Sequence, residues 1–227
     1  MCGRFTLTVG LGEIKERFLV DEVSSMESMD HLPRYNIAPT QSLPIVVREG
    51  AVRKLVSMRW GLIPRWATDP SIGNRLINAR SETLTQKPAF RRSFQRHRCL
   101  VPADSFYEWM KKESGGKQPM RITVEDGGLF AFAGLWDRWT GPEGEAVYSF
   151  TIITTRPNEK VREVHNRMPA ILHRSVEDLW LDPDVRDPAV LQPVLEPYEA
   201  EDIRIYPVSR IVNSPKNDRP ECIRPIA

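Results

Sequence analysis

The chain has 227 residues, of which 41% are hydrophobic and 27% charged, a composition typical of a folded, water-soluble protein and not of a disordered one. No apolar run approaches the length of a membrane-spanning helix, and charged residues interrupt the first twenty positions, which excludes a secretory signal peptide. The three cysteines lie far apart without a Cys-x-x-Cys or Cys/His ligand pattern, so we expect no disulfide framework, no metal site and no cofactor.

The formal net charge of +2 hides an uneven distribution. Between Arg59 and Arg98, nine Lys or Arg residues are opposed only by Asp69 and Glu82, a local excess of +7 that favours contact with anions. From Glu177 to Asp202 the balance reverses, and we interpret that acidic stretch as a solvated outer face.

In chain order, the first predicted element is a helix in "LGEIKERFLV", where Leu11, Ile14 and Phe18 share one face. The stretch "PIVVREGAVRKLVSM" predicts a hairpin that turns at Glu49 and Gly50. A second helix is expected around Phe90, where the i, i+4 spacing of Phe90 and Phe94 turns the arginines of "RRSFQRHR" outward. Solvated surface and anion contact both remain open for these arginines.

Strands are predicted in four segments rich in β-branched and aromatic residues: "CLVPADSFYEW", "PMRITVE", "LFAFAGLWD" and "YSFTIITT". Further helices are expected after Pro157 and after Ser175, where Asp178 lies at the capping-box spacing. Successive strands are joined by short turns without regular alternation with helices. The sequence therefore predicts one α+β domain over residues 1–227, with a mainly antiparallel, barrel-like sheet and peripheral helices.

The first residues, "MCGR", place a cysteine directly after the initiator methionine. A second residue as small as Cys allows Met1 to be removed, which would leave Cys2 with a free α-amine beside its thiol. The reference pKa of an α-amine is about 7.7–8.0, far below the roughly 10.4 of a lysine, so a useful fraction is neutral near pH 7. By itself, the position also fits an incidental cysteine.

Eight short stretches contain more polar residues than a hydrophobic core or a turn requires: "MCGR", "YNIAPT", "RWGLIPRWA", "INARSET", "RCLVPADSFYEW", "FAGLWD", "HNRMPA" and "PVSRIVNSPKND". Together, and in this order from residue 1 to about residue 225, they resemble the SRAP family, the SOS-response-associated peptidase-like proteins that shield abasic sites in single-stranded DNA. The resemblance implies that Cys2 forms a covalent thiazolidine crosslink with the abasic sugar.

The resemblance also implies roles for three further catalytic residues. Glu108, in "FYEW", would hold and deprotonate the terminal amine, and His165, in "HNRMP", would protonate the sugar ring oxygen. Asn78, in "NAR", would orient the sugar.

A second set of residues is expected at the DNA. Arg4 and Arg80 are the expected phosphate clamps, with Arg167 a weaker candidate. Tryptophans can stack on bases, whereas we expect Trp136 and Trp139 to pack in the core. The candidate DNA contacts are Arg4, Arg80, Arg167, Trp60, Trp66, Trp109, Asn36 and Pro39, the last two mainly as the floor near Cys2.

Three functions remain as alternatives: a DNA-protein crosslinking repair factor with lyase activity left open, an N-terminal-nucleophile cysteine peptidase that releases Met1 itself, and a noncatalytic single-strand binder. The basic segment favours nucleic acid over peptide, and a passive binder has no need of Cys2. The expected partner is single-stranded DNA containing abasic sites, without a membrane, and the expected state is a monomer. We expect it in the cytoplasm with the nucleoid in a bacterial host, and in the nucleus in a eukaryotic one.

Overall fold

The computed structural model of the protein describes residues 2–24, 32–124 and 128–226, and it is dominated by strands. The strands are Phe5–Leu7 (β1), Glu22–Val23 (β2), Arg34–Ile37 (β3), Ser42–Glu49 (β4), Val52–Trp60 (β5), Asn78–Arg80 (β6), Arg98–Ala103 (β7), Ser105–Lys111 (β8), Lys117–Val124 (β9), Phe130–Thr140 (β10), Ala146–Thr155 (β11), Met168–Pro169 (β12), Ile171–Leu172 (β13) and Ile203–Pro207 (β14). The helices are Leu11–Arg17 (α1), Pro88–Arg96 (α2), Glu159–Arg162 (α3), Glu177–Leu181 (α4) and Pro188–Leu191 (α5). Short 3-10 turns cover Pro70–Arg75, Ser81–Thr83, Arg174–Val176, Pro193–Leu195, Arg210–Asn213 and Pro220–Ile223.

Five strands close into a barrel in the order β11, β10, β7, β4, β5. Four of the five contacts around this ring are antiparallel, and the parallel pairing of β5 with β11, which places Trp60 opposite Phe150, closes it. Because the barrel is closed, each of these five strands pairs with another strand on both sides, and none is an exposed edge. The predicted α+β class with a mainly antiparallel, barrel-like sheet is confirmed.

A second sheet has the order β14, β9, β8, β1, β3 and is antiparallel throughout. The segment predicted as one strand, "CLVPADSFYEW", divides at Asp104: β7 belongs to the barrel and β8 to the second sheet. The buried carboxylate of Asp104 accepts hydrogen bonds from the side chains of Thr6 and Thr8, which ties the strand break to β1.

The largest hydrophobic cluster fills the barrel and extends beneath both sheets, with members from Cys2 to Ile203. Trp60 lies at its centre with no exposed area, its ring 5.2 Å from that of Phe5 and its Nε1 donating to the Ile77 carbonyl oxygen at 2.9 Å. The prediction that Trp60 stacks on DNA bases is therefore wrong, because the ring is enclosed by protein on all sides. Trp139 is also buried, as predicted, whereas Trp136, predicted to pack in the core as well, is only partly buried on the outward-facing side of β10.

The helices follow the predicted pattern with one exception. Phe90 and Phe94 of α2 are buried, whereas Arg91 points to solvent. The capping box predicted at Ser175 does not form, because a 3-10 turn leads directly into α4 and its N-cap is Val176, which has no side-chain cap. Asp178 instead pairs with Arg53 at 2.7 Å. Among the described residues, no helix is both long and apolar enough to cross a bilayer.

Gly61 and Gly73 bring two backbone segments into direct contact just after β5. A Cβ atom at Gly73 would lie 2.7 Å from the carbonyl oxygen of Gly61 and 3.0 Å from Cγ1 of Ile63. Gly61 has a φ of +121°, which non-glycine residues rarely adopt. This contact sets the course of the "RWGLIPRWA" loop, which carries Trp66.

Gly73→Ala is expected to lower the free energy of unfolding by about 1–3 kcal/mol, because the added methyl group overpacks a contact formed by backbone atoms. Gly12→Ala is the control, since a Cβ atom at this exposed position in α1 meets nothing within 4 Å and alanine favours helix. Urea denaturation of both variants gives the comparison. Equal stability of Gly73→Ala and the unmodified protein would contradict the close approach.

Candidate active site

The pairing of β1 with β8 brings the start of the chain to Glu108. Phe5 lies opposite Phe106, and the ladder continues beyond β1 because the backbone N–H of Tyr107 donates to the Arg4 carbonyl oxygen at 3.0 Å. Cys2 lies two residues before Arg4 and is completely buried, with its Sγ 3.9 Å from the Arg4 carbonyl oxygen. Met1, whose removal the interpretation of Cys2 requires, lies outside the described residues.

Glu108 is a buried carboxyl group on β8. Phe106, two residues before it, belongs to the main core, while Tyr107 and Trp109 belong to a separate cluster, as the predicted alternation requires. Burial raises the pKa of Glu108 to about 7. A carboxyl group with this pKa can take up and release a proton near neutral pH.

Burial is also the main reason why the pKa of the Cys2 thiol lies well above its ordinary value, and the charge of Glu108 acts in the same direction. The thiol is therefore protonated at neutral pH in this environment. A nucleophile of this kind needs a partner that removes its proton, or an electrophile held directly against it.

His165 lies in the turn between α3 and β12, with its Nδ1 3.9 Å from Oε1 of Glu108. Nδ1 accepts a hydrogen bond from the backbone N–H of Arg167 at 3.1 Å, and the backbone N–H of His165 donates to the Val161 carbonyl oxygen at 2.8 Å. Burial lowers the pKa of His165. Burial therefore shifts the pKa values of Glu108 and His165 in opposite directions, each toward the neutral form of its group.

Asn78 and Arg80 lie on β6, which runs parallel to β11 and pairs Arg80 with Thr154. Neither the amide nitrogen nor the amide oxygen of Asn78 has a hydrogen-bond partner within the described parts of the chain, although both atoms are buried. Buried amides are normally satisfied, so this one is free to bind a ligand. The exposed guanidinium of Arg80 likewise makes no hydrogen bond or ion pair with the described residues.

The residues around Asn78 and Arg80 line an open groove of about 610 Å³. Its lining residues are Trp66, Leu76, Asn78, Arg80, Thr83, Lys87, Pro88, Ala89 and Phe90. Trp66 is 56% exposed, the largest exposure of any described tryptophan. Two cationic side chains and an exposed aromatic ring along one groove suit a strand of nucleic acid.

Comparison with known proteins identifies the family. The family model described as SOS response associated peptidase (SRAP) matches residues 1–215. The chain belongs to the SRAP family.

Two SRAP relatives are named abasic site processing proteins. YoqW of Bacillus subtilis is 48% identical over 223 residues, which cover 98% of this chain and 99% of YoqW. HMCES of Gallus gallus is 34% identical over 266 residues, which cover the whole of this chain and 78% of HMCES. A crystal structure of a protein from Bacteroides thetaiotaomicron superimposes with a TM-score of 0.91 at 26% identity, over the full length of both chains.

In this SRAP protein, Arg4 is engaged by the protein itself. Its Nη1 donates to Asn36 Oδ1 at 2.6 Å and to the Val212 carbonyl oxygen at 2.7 Å, and the guanidinium lies 5.7 Å from the centre of the Trp109 ring. Asn36 is completely buried and donates through Nδ2 to the carbonyl oxygens of Val212, Ser214 and Asn217. Arg4 and Asn36 thus hold the C-terminal segment against the start of the chain.

Arg167 is also paired, because both of its terminal nitrogens donate to the carboxylate of Glu82, at 2.5 and 2.9 Å. Its Nη2 further donates to the Thr154 carbonyl oxygen at 2.6 Å. Pro39 is half-buried in the turn after β3. The structure therefore brings Cys2, Glu108 and His165 together, leaves Arg80 and Trp66 open to solvent, and engages Arg4 and Arg167 internally.

Sequence reasoning missed two acidic residues that shape the site. Glu82 neutralises Arg167, and Asp218 accepts from the backbone N–H groups of Tyr35 and Asn36, at 2.5 and 3.0 Å. Both lie in the quoted motifs, "INARSET" and "PVSRIVNSPKND". An acidic residue beside a predicted phosphate-binding arginine is the signal that could have identified Glu82.

Glu108→Gln is expected to gain stability relative to the unmodified protein as pH rises from 5 to 8. The folded state raises the pKa of Glu108 from 4.5 to about 7, so the stabilisation from its protonated form is complete below pH 4.5 and is lost as pH rises through 7. Glutamine does not undergo this loss.

The free energy of unfolding is measured by urea denaturation at pH 5 and at pH 8. Between these two pH values it should change in favour of Glu108→Gln by on the order of 1 kcal/mol or more. Glu16→Gln is the control, because it makes the same substitution at an exposed residue. A stability difference that is the same at both pH values would show that Glu108 is not a desolvated carboxyl group.

Proposed function

We propose that this SRAP protein recognises abasic sites in single-stranded DNA and, once Met1 is removed, closes a covalent thiazolidine ring on them with Cys2. The observation that carries the proposal is the position of Cys2 at the start of the chain beside a buried carboxyl group, Glu108, whose Oε1 lies 3.9 Å from His165. The names of YoqW and HMCES as abasic site processing proteins support the same substrate.

The reaction needs two nucleophiles on one residue. The α-amine of Cys2 adds to the aldehyde carbon of the opened deoxyribose, and loss of water gives a Schiff base. The thiol then adds across the C=N bond: sulfur bonds to carbon, the thiol proton passes to nitrogen, and a five-membered thiazolidine ring results. Because the imine holds the carbon against the sulfur, the high thiol pKa is offset by proximity.

Glu108 and His165 move the protons. With a pKa of about 7, Glu108 can accept a proton from the Cys2 ammonium group and return one to the departing water. His165, whose Nδ1 lies 3.9 Å from Oε1 of Glu108, delivers a proton to the ring oxygen of the closed sugar, which must open before an aldehyde exists. The unpartnered amide of Asn78 is available to hold the sugar hydroxyl groups.

The groove beside Asn78 supplies the DNA contacts in this proposal. Arg80 grips a phosphate, and Trp66 stacks on a neighbouring base. Arg4 contributes mainly by fixing the backbone that leads to Cys2, because its Nη1 is engaged by Asn36 and Val212.

Peptidase chemistry is less well supported by the same geometry. A cysteine peptidase attacks with a thiolate, and burial raises the pKa of the Cys2 thiol instead of lowering it. Intact mass measured after incubation with abasic single-stranded DNA separates the functions in one experiment. It reports removal of Met1, the mass of an adduct, and any strand cleavage that a lyase would cause.

Cys2→Ala is expected to abolish the heat-stable adduct while retaining most of the noncovalent affinity for DNA, because the phosphate and stacking contacts remain. Cys2→Ser should leave at most a labile adduct, since oxygen replaces the sulfur nucleophile. Denaturing gel electrophoresis on abasic DNA measures both, with Cys222→Ala as the control for loss of a buried thiol. An undiminished yield of heat-stable adduct with Cys2→Ala would contradict the proposal.

His165→Ala is expected to slow both formation and release of the adduct by about 10²–10⁴-fold, because one proton-transfer group serves a step in both directions. The final yield should change little. The measurement is a pair of time courses, one for formation and one for transfer of the preformed adduct to a competing aldehyde trap. His173→Ala is the control, since His173 is exposed and pairs with Glu199. If both rates match those of the unmodified protein, His165 has only a structural role.

A further inference from the structure

The outer surface of the barrel carries a second basic and aromatic site, away from Cys2. Strand alternation on β10 directs Trp136 and Arg138 outward, and Arg138 lies opposite Tyr148 on β11. Arg65, from the loop after β5, and Arg92, from α2, border the same cavity of about 410 Å³. We call these five residues, Arg65, Arg92, Trp136, Arg138 and Tyr148, the outer arginine site.

A single buried carboxylate organises the three arginines. Asp137 accepts hydrogen bonds from the backbone N–H groups of Arg65, at 3.0 Å, and Arg138, at 2.9 Å. Its Oδ1 lies 3.6 Å from Nη1 of Arg92 and 3.6 Å from Nδ1 of His97. Asp137 therefore ties the loop, β10 and α2 together around one cavity, and its charge is matched locally.

The guanidinium groups of Arg65 and Arg138 keep their binding capacity. Both side chains are exposed, and neither makes a hydrogen bond or ion pair with any residue that the structure describes. Glu49, which also borders the cavity, is paired with Lys54 at 2.8 Å. The cavity thus offers two unpaired guanidinium groups, the preferred partners of phosphate oxygens.

An aromatic surface continues from the arginines. The Trp136 ring stacks on His97 at 4.6 Å and lies 6.2 Å from the ring of Tyr148, which is 44% exposed. A second cavity, of about 370 Å³, shares Glu49, Trp136 and Tyr148 with the first. Its other lining residues are both apolar and polar: Val47, Val56, Met58, Ser24, Lys54 and Ser57. A site for phosphate and a mixed surface with two aromatic rings match the two parts of a nucleotide, its phosphate and its base.

The outer arginine site and the groove near Asn78 are lined by neighbouring residues of the chain. Trp66 lines the groove and the adjacent Arg65 lines the outer cavity. Lys87, the N-cap of α2, lines the groove, and Arg92, within α2, lines the outer cavity.

We propose that the outer arginine site binds the single-stranded DNA that flanks the lesion, with phosphates on Arg65 and Arg138 and a base stacked on Trp136 and Tyr148. The inference deepens the proposed function, since it rests on the DNA strand as the substrate, and it predicts a footprint longer than the groove alone.

The test is fluorescence anisotropy with labelled, undamaged single strands of about 5 and about 20 nucleotides, lengths that bracket one compact site and an extended one. The double variant Arg65→Ala/Arg138→Ala is expected to bind the longer strand about 10-fold or more weakly, with a log–log salt slope reduced by about 1.4 for two lost phosphates. Binding of the short strand should stay unchanged. Arg91→Ala, an exposed arginine of α2 outside both cavities, is the matched control.

Tyr148→Ala is expected to weaken binding of the longer strand about 5-fold or more, whereas Tyr148→Phe keeps the ring and the affinity. Unchanged affinity of the double variant for the longer strand would overturn the proposal, as would an equal loss with Arg91→Ala, which would indicate only bulk charge. If a polyglutamate peptide displaces the longer strand and Tyr148→Ala has no effect, the site recognises an acidic peptide instead.

Circular dichroism of each variant shows whether the fold is retained, and the variant Arg65→Ala/Arg138→Ala, which changes only exposed residues, keeps the proposal testable should Tyr148→Ala fail to fold. Because the DNA carries no abasic site, the result does not depend on Cys2. Absence of an adduct on abasic DNA would contradict the proposed function. A length-dependent loss of binding by the double variant would still support the outer arginine site.

Discussion

The pairing of β1 with β8 is the constraint on which the site depends. It aligns Phe5 with Phe106, and it continues to Arg4, whose carbonyl oxygen accepts from the N–H of Tyr107. Residues on one strand thereby determine where the first residues of the chain lie relative to Glu108 on the next. Without this ladder, the first residues would behave as an ordinary mobile terminus, and Cys2 would have no fixed distance from Glu108.

The same ladder produces the unusual electrostatics. A carboxyl group on a strand normally points to solvent, but β8 lies between β1 and β9, and its Glu108 side chain is 4% exposed. Removal from water shifts the pKa values of Glu108 and Cys2 upward and that of His165 downward. Each shift favours the neutral form of its group. In the function proposed above, the positive charge that meets the DNA phosphates therefore comes from cations outside these three groups, such as Arg80.

Local patterns in the sequence predicted much of the fold. The Phe90 and Phe94 spacing, the hairpin at Gly50 and the strand-rich centre depend on nearest neighbours, and all three are present. What local patterns could not show was which sheet a strand joins. "CLVPADSFYEW" has continuous strand character, yet it changes sheet at Asp104, whose partners Thr6 and Thr8 are remote in sequence.

The candidate site was predictable only in part, for the same reason. Motif order identified Cys2, Glu108 and His165, which the fold brings together. Residue type alone could not separate Trp60, enclosed in the core, from Trp66, which is exposed. Nor could it show that the guanidinium of Arg167 is neutralised by Glu82, because the two residues are 85 positions apart in the sequence.

The contact between Arg4 and Val212 spans 208 positions of sequence. Chains emerge from the ribosome with the N-terminal end first, so Arg4 and Asn36 are made long before the carbonyl groups that they bind. During synthesis, the contacts that hold the C-terminal segment against the start of the chain therefore form only when almost the entire chain has been made. The hydrogen bonds of Arg4 and Asn36 with residues 212–217 are among the last that the nascent polypeptide can complete. The residues next to Cys2 are thus made first, yet their side-chain contacts are completed at the end of synthesis.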